Sequence, residues 1–595
     1  MKKKKVLLLV GFPGAGKTSV GEQLSKTDLD NRQRVKWVDL DQSLEKTVGR
    51  TITNIVRVEG EKQFRALERE EFAKLLSSDA DVISVGGGTL IQEGVSELLS
   101  DCAEVVLLAV SRETSLNRII EQDKHSTERA RPLLIDENDN LNQVKEKLNK
   151  LFDERRKKYE AYQNVIHTDW ANVMSVAGCV FDRLKDLEMS QKMKDKVSIP
   201  VDYGHYGECL IEIGSDLYQD LGDKIKSFYP KASNVVLVSD EAVSKIWGDK
   251  VAQVLKNNGY QVCPINVPSG ENSKSLDHLE TITQIMLKAG IVRDDVMLAL
   301  GGGVVGDLAG LASSLYMRGI GLVQIPTTVV AQVDSAVGGK TAVNVEGGKN
   351  ILGTFNPGKL VVCDISVLST LPEREFRSGL AEVVKYGLIH SEEFFNWLVE
   401  NSQNILMRDV KCLRKIVEFS VTAKLGFVQG DVSDVLGRRT LLNFGHTLGH
   451  AVEKLMGYGT VQHGEAVAIG MVFATHLGEM LGITKEDTRV KLVQLLKSLS
   501  LPIEVPKELS EGAKEWCKSV KIESAKDALS ASSLSDVLKS GFFNRWESSL
   551  KADKKRVTKA IQFVVVPEIG KAHTVDVSVE KLVNCIAWHA VSSGK

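Results

Sequence analysis

The sequence predicts a chain of the α/β class with several folding units, and three features lead to this prediction. An apolar run at residues 6–10 leads into a glycine-rich loop, and a second apolar run at residues 296–300 leads into another. A stretch rich in glycine and histidine occupies residues 443–465. With 595 residues, 43% of them hydrophobic and 26% charged, the chain has enough apolar material for several cores.

Composition excludes several classes of function. The net charge of −2 offers no basic field for nucleic acid, so small anionic substrates must be held by local lysines and arginines. The eight cysteines are scattered without a C-x-x-C pair, which argues against a zinc knuckle or a disulfide framework. The apolar run after the N-terminal lysines is too short for a signal peptide, and no run reaches 18 residues. We therefore expect a cytoplasmic protein without a membrane partner.

Residues 11–18, Gly-Phe-Pro-Gly-Ala-Gly-Lys-Thr, match the P-loop pattern G-x-x-x-x-G-K-[ST]. The apolar run before the loop predicts the required strand, and a helix is expected after it. Gly11, Gly14 and Gly16 allow backbone N–H groups to surround the phosphates of ATP. Lys17 is expected to reach the β- and γ-phosphate oxygens, and the Thr18 hydroxyl is expected to coordinate Mg²⁺.

The sequence motifs that follow the P-loop indicate which kind of substrate accepts the phosphoryl group. They are Asp39-Leu-Asp41, the run 60–65 with Glu68, the glycines 86–88, Arg-Pro-Leu-Leu at 131–134, and an arginine and a tyrosine at 155 and 159. As a set, this pattern resembles shikimate kinase over about residues 1–183. The resemblance implies that Asp41 orients or deprotonates the attacking hydroxyl of shikimate and that Arg65 and Arg155 clamp its carboxylate. The other implied roles are Mg²⁺ binding by Asp39, close approach of the ring at Gly87 and Gly88, and closure over the nucleotide by Arg131.

A charged segment at residues 186–196 lacks a strand pattern, and we interpret residues 184–197 as a linker. Extended, apolar segments resume at residues 209–213 and 235–238. The second of these ends in Asp240, an acid at a strand tip that is suited to a ribose hydroxyl. A second α/β unit is therefore expected to begin here.

The turn at residues 301–307, Gly-Gly-Gly-Val-Val-Gly-Asp, is suited to a pyrophosphate but does not match the G-x-G-x-x-G fingerprint. On its glycines alone, the turn is weak evidence for a dinucleotide. The polar residues around it widen the pattern. They are Glu271 and Lys274 before the turn, and Arg318, Thr327, Thr328, Asp334, Lys340, Lys349 and Asn350 after it.

Histidines and acids are concentrated at residues 443–465. His446 and His450 are four residues apart, which places both rings on one face if the segment is helical, and His463 follows closely. Each of these three histidines has a glycine next to it. The pattern favours a metal or proton-transfer site over polar histidines on a helix surface.

Together these motifs resemble 3-dehydroquinate synthase over residues 198–595. The resemblance implies that Glu382, His446 and His463 bind the metal, either Zn²⁺ or Co²⁺. His450 then corresponds to a non-ligating histidine that transfers a proton, so the pair four residues apart combines one ligand with one relay residue.

The same resemblance assigns the remaining site residues. The residues implied in proton relay or catalysis are Asp334, Lys340, Lys385 and Arg439. Those implied in substrate binding are Arg318, Lys349, Asn350, Lys424, Arg439, Asn443, and Lys555 or its neighbour Lys554. The NAD set is Asp240, Glu271, Lys274, Gly302, Gly303, Asp307, Thr327, Thr328, Lys340, Lys349 and Thr370. Arg439 is chosen over the adjacent Arg438 by counting back from Asn443, and the serine-rich segment at 530–549 departs from the family pattern.

The whole chain is therefore expected to be a bifunctional enzyme of the shikimate pathway. The predicted architecture is a three-layer P-loop kinase domain, the linker, a Rossmann-like NAD subdomain at 198–365 and a mainly α-helical metal- and substrate-binding subdomain at 366–595. One expected activity is ATP-dependent 3-phosphorylation of shikimate. The other is NAD- and metal-dependent conversion of 3-deoxy-D-arabino-heptulosonate 7-phosphate to 3-dehydroquinate and phosphate, by a homodimer. The alternatives are a different sugar-phosphate cyclase or a half that regulates without catalysis.

Overall fold

The computed structural model describes residues 5–29, 33–92, 95, 99, 102–125, 140–188, 195–346, 348–432, 437–457, 459–531, 541–552 and 560–592. The chain divides into two compact units. The first comprises residues 1–204 and 208–215, and the second comprises residues 205–207 and 216–595. Among the described residues, no helix is both long enough and apolar enough to cross a membrane.

The first unit contains the predicted parallel sheet. Its central strand, Val6–Gly11, is buried along its whole length, as expected for a strand covered on both faces. The parallel strands, in spatial order, are Trp37–Asp39, Val82–Ser84, Val6–Gly11, Ala103–Ala109 and Val165–His167. A small hairpin, Asp28–Leu29 with Gln33–Arg34, lies outside this sheet.

Helices connect the strands of the first unit. They are Lys17–Leu24, Leu40–Val48, Ile52–Leu76, Arg112–His125, Leu141–Tyr159 and Val173–Glu188. Side-chain caps set the start of several of them, including the following two. Asp39 caps Leu40–Val48, and Asn140 forms a capping box with Gln143. Gly60 has φ 84° and ψ 165°, so the long helix Ile52–Leu76 is kinked at that residue.

The predicted linker at 184–197 is partly structured. The helix Val173–Glu188 extends into it, and the strand Lys196–Asp202 begins before it ends. This strand pairs in parallel with Val165–His167 and antiparallel with Glu208–Gly214. Its side chains are buried as far as Val201, so the strand forms because it covers apolar surface. The domain boundaries remain a prediction.

The second unit begins with another parallel sheet, as predicted. Its strands, in spatial order, are Gln261–Val267, Asn234–Asp240, Val296–Gly301, Gly321–Pro326 and Leu360–Asp364. The helices of this region are Leu221–Phe228, Asp249–Asn257, Leu276–Lys288 and Gly303–Leu315. A hairpin of strands Lys340–Val345 and Gly348–Phe355 follows.

The rest of the second unit is mainly helical, which confirms the predicted fold class. The longer helices are Glu373–His390, Glu392–Leu406, Val410–Val428, His446–Met456, His463–Met480, Glu486–Ser498, Gly541–Ala552 and Val579–Ser592. The shorter ones are Lys507–Ser510, Ala513–Ser519 and Ala525–Ser530. The antiparallel hairpin Ala560–Glu568 with Lys571–Ser578 was not predicted. Its first strand is largely buried, and its apolar residues pack into this helical region.

Candidate functional sites

The glycine-rich loop joins the strand Val6–Gly11 to the helix Lys17–Leu24, as predicted. Gly14 and Gly16 have φ values of 75° and 87°, a left-handed conformation that favours glycine. Lys17 donates from Nζ to the carbonyl oxygens of Gly11 and Phe12, at 3.0 and 3.2 Å. The loop therefore holds the ammonium group beside the helix N-terminus, where phosphates are expected to bind.

The two predicted Mg²⁺ ligands of this unit lie together. The Thr18 hydroxyl donates to Oδ2 of Asp39 at 3.0 Å. Oδ1 of Asp39 accepts from the backbone N–H groups of Asp41 and Gln42, at 3.0 and 3.3 Å. Because these bonds cap the helix Leu40–Val48, they also fix the direction of the carboxylate.

Arg65 and Arg155 meet over the glycines at residues 86–88. A Cβ atom on Gly87 would lie 2.5 Å from Nη1 of Arg155. A Cβ atom on Gly88 would lie 3.1 Å from Nη2 of Arg65 and 3.3 Å from Nη2 of Arg155. Glycine at both positions therefore gives room for two guanidinium groups, which together suit a planar carboxylate.

Glu68 and Tyr159 support this pair of arginines. The buried Glu68 carboxylate accepts from Nη1 of Arg65 at 2.8 Å, from the Thr89 hydroxyl at 2.7 Å and from Nε2 of Gln92 at 2.6 Å. Tyr159 donates from its hydroxyl to the carbonyl of Gly87 at 2.7 Å. The sequence pattern included Glu68 and Tyr159 but indicated a role for neither.

Asp41 lies beside the same turn, since a Cβ atom on Gly86 would be 3.6 Å from its Oδ1. Burial raises the pKa of Asp41 to about 6, and repulsion from Asp39 and Glu68 adds to this effect. A carboxylate with a pKa near 6 is a stronger proton acceptor than an ordinary surface aspartate. The site therefore combines a base with a clamp for an anion.

A cavity of about 790 Å³ opens beside the glycine-rich loop, and Gly14, Gly16, Arg118 and Thr168 are among the residues that line it. Arg118 donates from Nη1 to the carbonyl of Gly14 at 3.1 Å and to the Thr168 hydroxyl at 3.0 Å. The volume is within the range of small-molecule and cofactor sites. Sequence reasoning missed Arg118 because no motif marks it. Arg131, the predicted lid residue, lies outside the described residues.

The predicted metal ligands of the second unit converge on one point. Glu382, in the middle of the helix Glu373–His390, is completely buried. His446 and His463 are each the first residue of a helix. Their Nε2 atoms lie 3.3 and 3.2 Å from the same Oε1 of Glu382. Residues far apart in the sequence therefore supply one group of three donors.

The geometry of this group fits a tetrahedral metal. Two ligand atoms that each lie about 2.1 Å from Zn²⁺ are separated by about 3.4 Å, close to the distances observed here. Nδ1 of His446 lies 3.1 Å from the carbonyl oxygen of Phe444, which suits a tautomer with Nε2 free for a metal. His450 is next to this group, with its ring centre 5.4 Å from that of His446 and 6.1 Å from that of His463.

Close packing of glycines places the two histidines. A Cβ atom on Gly470 would lie 1.9 Å from the carbonyl oxygen of Gly445, and one on Gly464 would lie 1.7 Å from that of Ser378. The helices that carry the histidines therefore touch backbone to backbone. The glycines beside the histidines were visible in the sequence, but their packing role became clear only in the fold.

We expect Gly470→Ala to lower the free energy of unfolding of the second unit by about 1–3 kcal/mol and to weaken metal binding, because the added methyl group separates these helices. Gly426→Ala is the control. Gly426 lies in the helix Val410–Val428, and a Cβ atom added there would have no neighbour within 4 Å. Alanine at this position is expected to stabilise by about 0.5–1 kcal/mol. Urea unfolding and metal analysis would measure both variants, and equal effects would contradict the packing role.

A buried network of charges adjoins the metal ligands. Lys385 Nζ lies 2.5 Å from Oε2 of Glu382. Lys424 Nζ donates to the carbonyl and to Oδ1 of Asp334, at 2.6 and 2.8 Å, and the hydroxyl of Tyr386 donates to the same Oδ1 at 2.8 Å. Although burial opposes it, the two lysines lower the pKa of Asp334 to about 2. Tyr386 was missed, since only its position next to Lys385 distinguishes it in the sequence.

Arg439 is also buried, whereas Arg438 is exposed, and the choice of Arg439 as the site residue remains a prediction. Arg439 donates from Nη1 to the carbonyl oxygen of Val432 at 2.7 Å. A Cβ atom on Gly338 would lie 3.3 Å from its Nη2. Arg439 therefore lies against the loop between Asp334 and the hairpin.

The second glycine turn lies where parallel strands end. The strand Val296–Gly301 leads through Gly302 into the helix Gly303–Leu315. A Cβ atom on Gly302 would lie 3.1 Å from Cγ2 of Thr328, which follows the neighbouring strand Gly321–Pro326. This position, beyond the carboxyl ends of adjacent strands, is the usual nucleotide crevice of an open α/β sheet.

Further members of the predicted NAD set surround this crevice. The buried Lys274 forms an ion pair with the half-buried Asp307 of the helix that follows the turn. Asp240 ends the strand Asn234–Asp240 and accepts from the Ser269 hydroxyl at 3.0 Å. The Thr370 hydroxyl accepts from Nε1 of Trp247 at 2.9 Å. The glycine turn and its charged neighbours thus fit a dinucleotide.

For some predicted residues the structure does not support the assigned role. Arg318 is exposed and lies before the strand Gly321–Pro326, at the opposite end from Thr327. Lys340 and Asn443 are exposed. Lys554 and Lys555 lie outside the described residues. The assigned roles of these five residues remain predictions.

Family models match three segments of the chain. The shikimate kinase model matches residues 13–185. The models of the N-terminal and C-terminal parts of 3-dehydroquinate synthase match residues 264–378 and 379–524. The order of these matches agrees with the predicted order of the two activities.

Individual relatives support the same assignment. The chain is 42% identical to a 3-dehydroquinate synthase of Desulforamulus reducens over 299 residues, which cover 50% of this chain and 83% of the relative. It is 42% identical over 300 residues to that of Vibrio atlanticus, covering 50% and 82%. A 2-epi-5-epi-valiolone synthase from Streptomyces hygroscopicus, solved with NAD⁺ and Zn²⁺ bound, has a similar fold, with TM-score 0.53, 24% identity, and 64% and 96% coverage. The chain therefore belongs to the 3-dehydroquinate synthase family, and a shikimate kinase domain precedes its synthase domain.

Proposed function

We propose that the first unit phosphorylates shikimate at its 3-hydroxyl group with ATP. The observation that carries this proposal is the convergence of Arg65 and Arg155 over Gly87 and Gly88, beside Asp41. The two guanidinium groups hold the substrate carboxylate, and Asp41 accepts the proton of the attacking hydroxyl. Phosphoryl transfer needs positioning and charge neutralisation above all, which Lys17 and the loop supply.

For Mg²⁺, Thr18 and Asp39 are the proposed protein ligands, supported by the 3.0 Å hydrogen bond between their side chains. ATP is proposed to bind in the cavity beside the loop. The cavity's position next to Gly14 and Gly16 supports this assignment. Arg118, which lines the same cavity, is proposed to contact the nucleotide.

We propose that the second unit converts 3-deoxy-D-arabino-heptulosonate 7-phosphate to 3-dehydroquinate and phosphate. The observation that carries this proposal is the group of Glu382, His446 and His463 next to the buried Lys385 and Asp334. Bound NAD⁺ would accept and return a hydride at the substrate C5, and a bound Zn²⁺ or Co²⁺ would favour this by polarising the C5 hydroxyl. The buried cations orient the substrate through its carboxylate and phosphate groups, and His450 relays a proton.

A related cyclase activity on another sugar phosphate is the second candidate, favoured only by the similar fold of the valiolone synthase. Its sequence identity of 24% is far below the 42% shared with the 3-dehydroquinate synthases. Phosphate release from a panel of keto-sugar phosphates would separate the two. Turnover of glucose 6-phosphate without turnover of the seven-carbon acid would reverse our assignment.

Paired substitutions test both activities in one chain. We expect Lys17→Ala to lower shikimate phosphorylation by at least about 100-fold, because a cation that neutralises the transferring phosphoryl group is lost, and to leave cyclisation unchanged. We expect His463→Ala to do the reverse, since it removes a metal ligand. Coupled assays for ADP and for phosphate would measure the two rates. Loss of both activities in either variant would contradict two independent sites.

We further propose a homodimer formed through the synthase part. Leu315 and Met317 are exposed apolar residues next to Arg318, and exposed Ile351 and Leu352 lie on the strand Gly348–Phe355. The hydroxyl of Thr354, on that strand, donates to the Ser314 hydroxyl at 2.9 Å, so these side chains are on neighbouring segments. Exposed apolar side chains grouped in this way are typical of a protein interface.

A cytoplasmic location is also proposed, supported by eight cysteines that form no disulfide bond among the described residues. The proposed domains are residues 1–183, a connector at 184–197, an NAD subdomain at 198–365 and a metal- and substrate-binding subdomain at 366–595.

A further inference from the structure

Glu453 is a buried carboxylate next to the proposed metal ligands, and none of the roles proposed above for the two activities involves it. It lies on the helix His446–Met456, seven residues after His446, so the two side chains point in similar directions from the helix. Oε2 of Glu453 lies 3.4 Å from Nδ1 of His463. Nε2 of the same imidazole faces Glu382 at 3.2 Å. The ring of His463 is therefore held between two carboxylates.

Of these two carboxylates, only Glu382 is placed to share a metal with both His446 and His463. Oε1 of Glu382 faces Nε2 of His446 as well as Nε2 of His463. Glu453 and His450 form an alternative donor group with His463. However, Lys349 Nζ lies 3.5 Å from Oε1 of Glu453, and a cation at this distance disfavours a metal ion on the same carboxylate.

On the basis of the proposed synthase function, we propose that Glu453 is a positioning residue. It accepts a hydrogen bond from Nδ1–H of His463 and thereby presents Nε2 to the metal. Carboxylates that orient a metal-bound histidine in this way commonly change metal affinity by about 10- to 100-fold. Glu453 does not itself bind the metal.

The other oxygen of Glu453 extends this arrangement toward the proposed NAD site. Lys349 Nζ lies 3.9 Å from Oε1 of Glu271, and the same oxygen accepts from Nδ2 of Asn344 at 2.8 Å. The backbone N–H of Asn344 donates to the carbonyl of Lys274 at 2.8 Å. A series of polar contacts therefore leads from the metal ligand His463 to the residues around the glycine turn at 301–307. Glu453 is accordingly expected to affect NAD affinity as well as metal affinity.

The test uses the full chain carrying Glu453→Gln, Glu453→Asp or Glu479→Gln. Glu479 is the matched control, because it lies on the same helix as His463 and forms an ion pair with Arg489 at 2.6 Å, away from the site. Zinc affinity of the metal-free chain is measured by competition with a chromophoric chelator. NAD⁺ affinity is measured by calorimetry, and far-UV circular dichroism and thermal unfolding check the fold.

We expect Glu453→Gln to weaken zinc binding by about 10- to 100-fold and NAD⁺ binding by at least about threefold, with Glu453→Asp intermediate and Glu479→Gln unchanged. Zinc affinity within twofold of the unaltered chain in a folded Glu453→Gln variant would overturn the proposal. So would complete loss of zinc binding equal to that of His463→Ala, because Glu453 would then be a ligand. If the unaltered chain binds zinc and NAD⁺ but does not cyclise the substrate, the proposed function fails while this inference stands.

Discussion

Glu382→Gln is expected to abolish both metal binding and cyclisation and to lower the free energy of unfolding of the second unit by about 3 kcal/mol. Glu382 has no exposed surface, and the side chain of Lys385, whose Nζ is 2.5 Å away, is only 1% exposed. The amide has no charge to offset that ammonium group. The variant therefore loses a metal ligand and leaves a buried cation with one partner fewer.

Three measurements would test the expected effects of Glu382→Gln. Elemental analysis would give the metal content, phosphate release would give the cyclisation rate, and urea unfolding would give the stability. The double variant Glu382→Gln with Lys385→Met is expected to recover much of the stability and none of the activity, because the unpaired cation is gone while the ligand is still missing. Glu375→Gln, at an exposed position of the same helix, is the neutral control. A single variant as stable as the unaltered chain would disprove the dependence of Lys385 on Glu382.

Asp41→Asn is expected to lower the kinase rate by about 10²- to 10⁴-fold, the usual contribution of a general base. Burial raises the pKa of Asp41 to about 6, and the ionised form accepts the proton. The rate of the unaltered kinase should therefore fall as the pH decreases through about 6. The asparagine variant, measured across the same pH range, should lack this dependence, and a retained inflection near 6 would assign it to another group.

Although Asp41→Asn lowers the kinase rate, the same substitution is expected to raise the stability of the folded chain at high pH. Because the pKa of Asp41 is raised in the folded state, the folded chain binds the proton more tightly than the unfolded chain does. Stability is therefore greatest below the unfolded pKa near 4 and is lost as the pH rises through about 6. We expect Asp41→Asn to unfold at a higher temperature than the unaltered chain at pH 8, with little difference at pH 4. Thermal unfolding at the two pH values would measure this, and a lower melting temperature at pH 8 would contradict it.

Local sequence was sufficient for much of the fold. The runs before the two glycine turns are buried parallel strands because nearly every residue in them is apolar. The spacing of His446 and His450 suits the helix that carries them, but no pattern within that segment identifies Glu382 as the third member of the donor group. The C-terminal hairpin and the strand Lys196–Asp202 were missed, because each forms by pairing with residues that no local pattern identifies.

By itself, the sequence determined which chemical groups the chain carries and where its strands turn into phosphate-binding loops. Those properties depend on neighbouring residues, and a P-loop or a glycine turn is complete within about ten of them. The tertiary structure decided which groups meet. Glu382 joins His446 and His463, and Arg65 joins Arg155, only because distant helices pack together, in part where glycines remove the side chains between their backbones. It also separated Arg318 from Thr327 and Thr328, because the strand Gly321–Pro326 lies between them and places them at opposite ends.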